Sequence, residues 1–237
     1  MNFLDQAKKI ENTIINDRRN LHMIPELELD LQKTVAYVEN ELKNLGISYK
    51  KLVNGNAIVA EIGSYNGKCI AIRADMDALP ITEETGLDFQ STHPGCMHAC
   101  GHDGHTAMAL GAARLLKENE DKLDGLVKIF FQPGEEIPGG AKPMIDEGCM
   151  ENPKVHRVIG LHQGGVLGHL PQGTIAYKKG PIMASMDAFI IRVKGHGGHG
   201  ARPDSFIDPI ATISEINLGL QKIISRELDP TELLHVK

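Results

Sequence analysis

The sequence predicts an α/β protein in which helices cover a mixed, mostly parallel sheet, and three observations lead there. Short β-type apolar runs alternate with segments of helical period. Several of those runs look buried on both faces, as strands of a parallel sheet are. Residues able to do chemistry stand at the ends of the runs, where sheets of this kind gather their ligands. A chain of 237 residues, 41% hydrophobic and 24% charged, is long enough to bury the core of one large domain and part of a second.

Taken in order, residues 3–22 and 31–45 have the apolar spacing of amphipathic helices, with Asp30 as the expected N-cap of the second. Strands are expected over Ser48–Val53, Ala57–Ile62 and Cys69–Arg73, separated by Asn-Gly and Gly turn signals. A helix follows over Gly104–Glu118, a strand over Leu126–Phe131, a helix over Ala141–Glu147 and a strand over Val155–Leu161. From Met186 the texture changes: a strand over Asp187–Val193, the turn GHGGHGARPD, and an amphipathic helix over Pro209–Leu228. These open a second domain, giving expected divisions at 1–184 and 185–237.

Composition narrows the function. A formal net charge of -6 offers no basic field to a phosphate backbone or an anionic membrane, so neither nucleic acid nor membrane is an expected partner. The N-terminus is too charged for a signal peptide, and no apolar run approaches the ~20 residues that span a bilayer, so a cytoplasmic protein is expected. Of the four cysteines, Cys96 and Cys100 fall inside a histidine cluster, which favours thiolate or thiol chemistry over a disulfide framework, with a Cys96–Cys100 bridge as the minor alternative on compartment grounds.

That cluster, Cys96-Met97-His98-Ala99-Cys100-Gly101-His102-Asp103-Gly104-His105, places six candidate metal ligands within ten residues. Alone it allows a closed structural zinc site from Cys96, Cys100, His102 and His105, a histidine-rich turn, or a catalytic centre that keeps a position open for water. The remaining strand-end residues favour the last. Glu135 and Glu136 follow an apolar strand and a Pro-Gly turn, so one carboxylate can hold a cation while its neighbour takes a proton from water. His162 ends the run Val155–Leu161, and Asp75 and Asp77 end another, placed to orient an imidazole or the base. Separately, each has a plainer reading: a solvated Glu pair, a core histidine, an Asp-rich turn.

The stretches RRNLHMIPEL (Arg18–Leu27), RADMDALP (Arg73–Pro80), MHACGHDGHT (Met97–Thr106), QPGEE (Gln132–Glu136), GLH (Gly160–His162) and KGHGGHGARPD (Lys194–Asp204) together resemble the M20 metallopeptidase family. The similarity is strongest to its amidohydrolase branch, which contains hippurate hydrolases, auxin-conjugate hydrolases and N-acetyl-diaminopimelate deacetylases. The resemblance implies a three-layer catalytic domain of the phosphorylase/hydrolase-like, zinc-exopeptidase type, followed by the start of an α+β lid and dimerisation domain. It implies Cys100, His102, Glu136 and His162 as metal ligands, Glu135 as general base, Asp75 as an orienting carboxylate and His199 as a lid histidine stabilising the oxyanion.

It further implies two divalent ions per subunit, zinc or manganese with cobalt or nickel as alternatives, a small N-acyl amino acid substrate, and a homodimer through the lid. Family members are longer and supply a further histidine ligand after the lid, so this chain is expected to be a C-terminally truncated form, weakly stable and poorly active alone. The competing expectation is a non-catalytic metal-binding or regulatory protein, or an inactive remnant, that keeps the fold.

Overall fold

The computed structural model describes residues 2–164, 171, 173–183 and 188–223. The chain divides into two compact units, Met1–His169 and Leu170–Lys237.

In the first unit, helices α1 (Phe3–Lys9), α2 (Glu11–His22) and α3 (Gln32–Asn44) precede strands β1 (Ser48–Leu52), β2 (Ala57–Gly63) and β3 (Cys69–Asp75). Helix α4 (His102–Glu118), β4 (Leu126–Gln132), α5 (Lys142–Asp146) and β5 (Arg157–Gly160) complete it. The five strands form one sheet in the order β1-β2-β4-β3-β5. The sheet is mixed: β1 and β4 run antiparallel to β2, whereas β3 runs parallel to both β4 and β5. Its parallel half carries the candidate site.

Period-2 alternation along β2 divides the core. Ile58, Ala60 and Ile62 join Val35, Val38 and Leu42 of α3 and Leu110 of α4 in a cluster on one face. Ala57 and Val59 join Ala71, Phe130 and Met144 of α5 on the other. The sheet is thus sandwiched between helical layers, and β4 is buried along its whole length. Only β5, at the sheet edge, is exposed throughout.

Three local expectations change. The helix expected over residues 3–22 breaks at Ile10, whose amide turns back to Ala7 and Lys8. Helix α1 buries no residue, so the core imposes no continuity there. Asp30 does not cap α3. Glu26 does so instead, its carboxylate accepting the amides of Lys33 and Thr34 at 3.0 and 2.8 Å. In the second unit, α6 spans Pro209–Gln221, capped by Asp208, while Leu228 lies outside the described residues. The expected strand Asp187–Val193 is not found over 188–193, and Asp187 is outside the described residues. A strand needs a pairing partner, and the bridge outside the first unit joins His196 to Ile207 instead.

Two buried polar groups tie the first unit together. Lys128, fully buried on β4, donates to the carbonyls of Cys149, Glu151 and Pro153 at 3.3, 2.8 and 3.1 Å, anchoring the loop that leads to β5. His22, at the end of α2, is held by Asp103 through Nδ1 at 2.7 Å and by Glu83 through Nε2 at 3.1 Å, and Arg18 pairs with the same Asp103 oxygen at 2.8 Å. Replacing Lys128 by Met leaves three inward carbonyls without their donor and should cost about 2–3 kcal/mol. Urea denaturation should show a lower midpoint with an unchanged slope, and an unchanged midpoint would contradict the assignment.

The hydrogen bond to Asp103 raises the His22 pKa above its ordinary 6.5, overcoming burial, with Glu83 adding to the effect. A raised native pKa stabilises the fold fully below about 6.5, and that contribution fades as the pH climbs through the raised value. The gap in melting temperature between the parent and His22→Gln should therefore be wider near pH 6 than near pH 9. A pH-independent gap would show that His22 carries no extra proton in the fold.

Candidate metal centre

Register explains why distant residues meet. In the parallel pairing of β3 with β4, Asp75 lies opposite Gln132, so both strands end together. On the other side of β3, Arg73 lies opposite Gly160 of β5. Two to four residues past these ends come Asp77, Glu135, Glu136 and His162. Helix α4 starts at the same edge, with Cys100 just before it and His102 as its first residue.

The approach to α4 depends on Gly101. Its φ of 85° is left-handed, and a Cβ there would stand 2.3 Å from Gln163 Nε2. Gln163 fits against this bare backbone and donates Nε2–H to the Gly101 carbonyl at 2.8 Å.

Among the described residues, Cys100, His102 and His162 each offer a ligand atom within 4.8 Å of the others, and so do His102, Glu135 and Glu136. A third such group joins Asp75, His102 and His105, so His102 belongs to all three. Cys100 Sγ is 3.4 Å from His162 Nε2. His102 Nε2 lies 3.9 Å from Glu135 and 3.8 Å from Glu136, while its Nδ1 faces Asp77 at 3.4 Å. The ring of His102 is fully buried, yet neither of its nitrogens has a hydrogen-bond partner, nor has Glu136 Oε1. Buried polar atoms are ordinarily paired, so this cluster is one acceptor-rich pocket short of positive charge. Sulfur, imidazole and carboxylate donors so arranged fit divalent transition-metal ions.

Electrostatics say the same. Burial pushes the Cys100 thiol up to about 12, reinforced by Glu136, Glu135 and Asp75. For His102, burial opposes protonation, but Asp77, Asp75 and Glu136 outweigh it and raise the pKa. A cation at this point reverses that logic, because it lets the thiol ionise.

Hydrogen bonds sort ligands from supports. His162 Nδ1 lies 2.7 Å from the Gln163 carbonyl, which can only accept, so Nδ1 carries the proton and Nε2 keeps its lone pair toward Cys100. His105 is fully engaged: Nε2 accepts from the Gln163 amide at 2.8 Å and Nδ1 donates to Asp75 at 2.5 Å. Asp75 is equally committed, its second oxygen taking Arg73 at 2.6 Å. Burial alone would raise the Asp75 pKa, but His105 and Arg73 hold it down at about 2, so it stays ionised.

The structural zinc set of Cys96, Cys100, His102 and His105 does not assemble: His105 is spent on Asp75 and Gln163, and Cys96 is in none of the ligand groups found among the described residues. All four cysteines are free, so the Cys96–Cys100 bridge is absent. His199 belongs to the second unit, where its exposed ring accepts the Ala201 amide through Nδ1 at 3.1 Å, leaving Nε2 as the N–H donor. Gln163 escaped sequence reasoning. The available signal was the glycine at 101 with a second at 104, a gap that asks for a side chain to fill it.

The chain matches the family described as Peptidase family M20/M25/M40 over residues 71–228. It is 43% identical over 224 residues to an N-acetyl-L-cysteine deacetylase of Bacillus subtilis, covering 94% of this chain and 53% of that protein. It is 42% identical over 228 residues to an N-acyl-L-amino acid amidohydrolase of Geobacillus stearothermophilus, covering 95% of this chain and 60% of that protein. Among solved structures, the YXEP protein of Bacillus subtilis, a dinuclear metal-binding peptidase of the M20 family, superimposes with a TM-score of 0.72 at 38% identity, covering 90% of this chain and 56% of that one. The chain thus spans little more than half the length of the proteins it resembles. With a family match over more than half of its residues, the chain belongs to peptidase family M20/M25/M40.

Proposed function

We propose that this chain carries the metal centre of an amidohydrolase that cleaves the amide C–N bond of N-acyl amino acids with water. One observation carries the reading: the convergence of Cys100, His102, His162, Glu135 and Glu136 around buried nitrogen and oxygen atoms that have no protein partner. The activities of the similar proteins, deacetylation of N-acetyl-L-cysteine and hydrolysis of N-acyl-L-amino acids, support the substrate class.

Cys100, His102, Glu136 and His162 hold the metal, expected as two zinc or manganese ions per subunit. Bound there, the ions supply Lewis-acid polarisation of the amide carbonyl and acidify water. Glu135, beside His102 and partly open to solvent, takes the proton from the attacking water and returns it to the leaving amine. Asp75, kept ionised by Arg73 and His105, adds fixed negative charge next to the ligands. His199 offers its Nε2–H to the carbonyl oxygen as charge develops there, a contribution of about 3 kcal/mol for a well-placed donor. A cytoplasmic homodimer formed through the lid completes the proposal.

Metal analysis combined with hydrolysis of N-acetyl- and N-benzoyl-amino acids tests this reading. Glu135→Gln should keep its metal and lose at least about a hundredfold in kcat. A variant as fast as the parent would refute the base assignment, and bound metal without any hydrolysis would favour a non-catalytic metal protein.

Because Cys100 must shed its proton to bind, metal uptake should release protons near neutral pH. Apparent affinity should rise about tenfold per pH unit between roughly pH 6 and 8 for one thiol proton. Calorimetry in buffers of different ionisation enthalpy reads this directly, and no proton release would remove Cys100 from the ligand set.

A further inference from the structure

On the stretch that enters α4 lies a second set of buried polar atoms, which the proposed chemistry does not use. His98 is 4% exposed and Asp103 is 1% exposed. Among the described residues nothing hydrogen-bonds to either ring nitrogen of His98 or to Asp103 Oδ1. Three polar atoms shut away from solvent within a few residues of one another ask for a partner, because buried polar atoms are ordinarily paired. A metal ion does not answer for them, since neither residue belongs to a ligand group found among the described residues.

The surroundings select the partner. The other oxygen of Asp103 takes Arg18 Nε at 2.8 Å and His22 Nδ1 at 2.7 Å, and His22 Nε2 meets Glu83 at 3.1 Å. Two carboxylates thus already face a guanidinium and an imidazole that carries a proton toward each of them. The ring of His98 lies alongside this group, its centroid 6.3 Å from that of His22. A further cation there would meet Arg18 and His22, and an anion would meet Asp103. In either neutral tautomer His98 presents one N–H and one lone pair, whereas Asp103 Oδ1 only accepts. The partner must therefore be small, neutral, and able both to donate and to accept.

We propose that a buried water binds here, donating to Asp103 Oδ1 and hydrogen-bonded to a ring nitrogen of His98. Met97 is already pinned to Leu79 by backbone bonds of 3.0 Å in each direction, and Asp103 is pinned to α2 through Arg18 and His22. A water joining His98 to Asp103 closes the stretch between them at its base, and that stretch carries Cys100 and His102. The water needs no metal beside it, so the site is independent of the hydrolase reading.

A high-resolution crystal structure of the chain tests this directly. It should show a peak about 2.6–3.2 Å from both Asp103 Oδ1 and one His98 nitrogen, with no anomalous signal after soaking in zinc or manganese. Oxygen-17 magnetic relaxation dispersion, which counts long-lived internal waters, should lose the signal of about one water in His98→Phe. His98→Gln, whose amide still donates and accepts, should keep that signal. His98→Phe should also melt about 4–8 °C below the parent, because Asp103 Oδ1 loses its bridged donor, and His98→Gln should recover most of the difference.

A direct His98–Asp103 hydrogen bond with no intervening peak, an anomalous peak at that point, or an unchanged relaxation signal in His98→Phe would each overturn the water site. The crystal of the parent decides alone if His98→Phe does not fold.

Discussion

His102 is the residue on which the site depends. Its imidazole is shut away from solvent with two unpartnered nitrogens, amid a thiol and several carboxylates. A protein interior does not ordinarily leave so many acceptors without a donor or a cation. The surrounding structure keeps this imbalance in place. Asp75 and His105 satisfy each other, Gln163 braces the start of α4, and Asp77 fixes the turn after β4. What remains unsatisfied is a compact set of soft and hard donors facing one another.

The sheet makes that set possible. Adjacent parallel strands β4, β3 and β5 end at one edge, so residues far apart in sequence arrive together with no long-range adjustment. The antiparallel strands β1 and β2 extend the core and stay out of the chemistry. Away from the edge, Lys128 and His22 perform a separate task, spending buried charge on holding loops and helices in register. The exposed β5 at the sheet edge contrasts with β4 in the middle, which is buried along its whole length.

Much of this was legible from residue order. Cys100 and His102 stood out because six ligand-type side chains crowd one decapeptide, and Glu135, Glu136 and His162 because each follows an apolar run in an alternating α/β pattern. Composition does not reveal which of several similar side chains are already spoken for. His105 looked as good a ligand as His102 until both of its nitrogens were found engaged, and Asp77, which residue order left between an orienting carboxylate and an Asp-rich turn, accepts two consecutive amides through its two oxygens. Local signals failed where tertiary partners decide. Glu26 reaches α3 from six residues upstream of the helix, displacing the nearer Asp30, and residues 188–193 have strand-like character with no strand to pair with among the described residues.

The account stands on one physical claim, that the cluster around His102 exists to bind cations. Anomalous diffraction from crystals of the chain soaked in zinc or manganese would test it most directly. The account requires metal peaks bonded to His102, with Cys100 sulfur at about 2.3 Å and imidazole nitrogen at about 2.0–2.1 Å if zinc is bound. Peaks confined to other histidines, or a metal-free His102 hydrogen-bonded to ordered water, would contradict it.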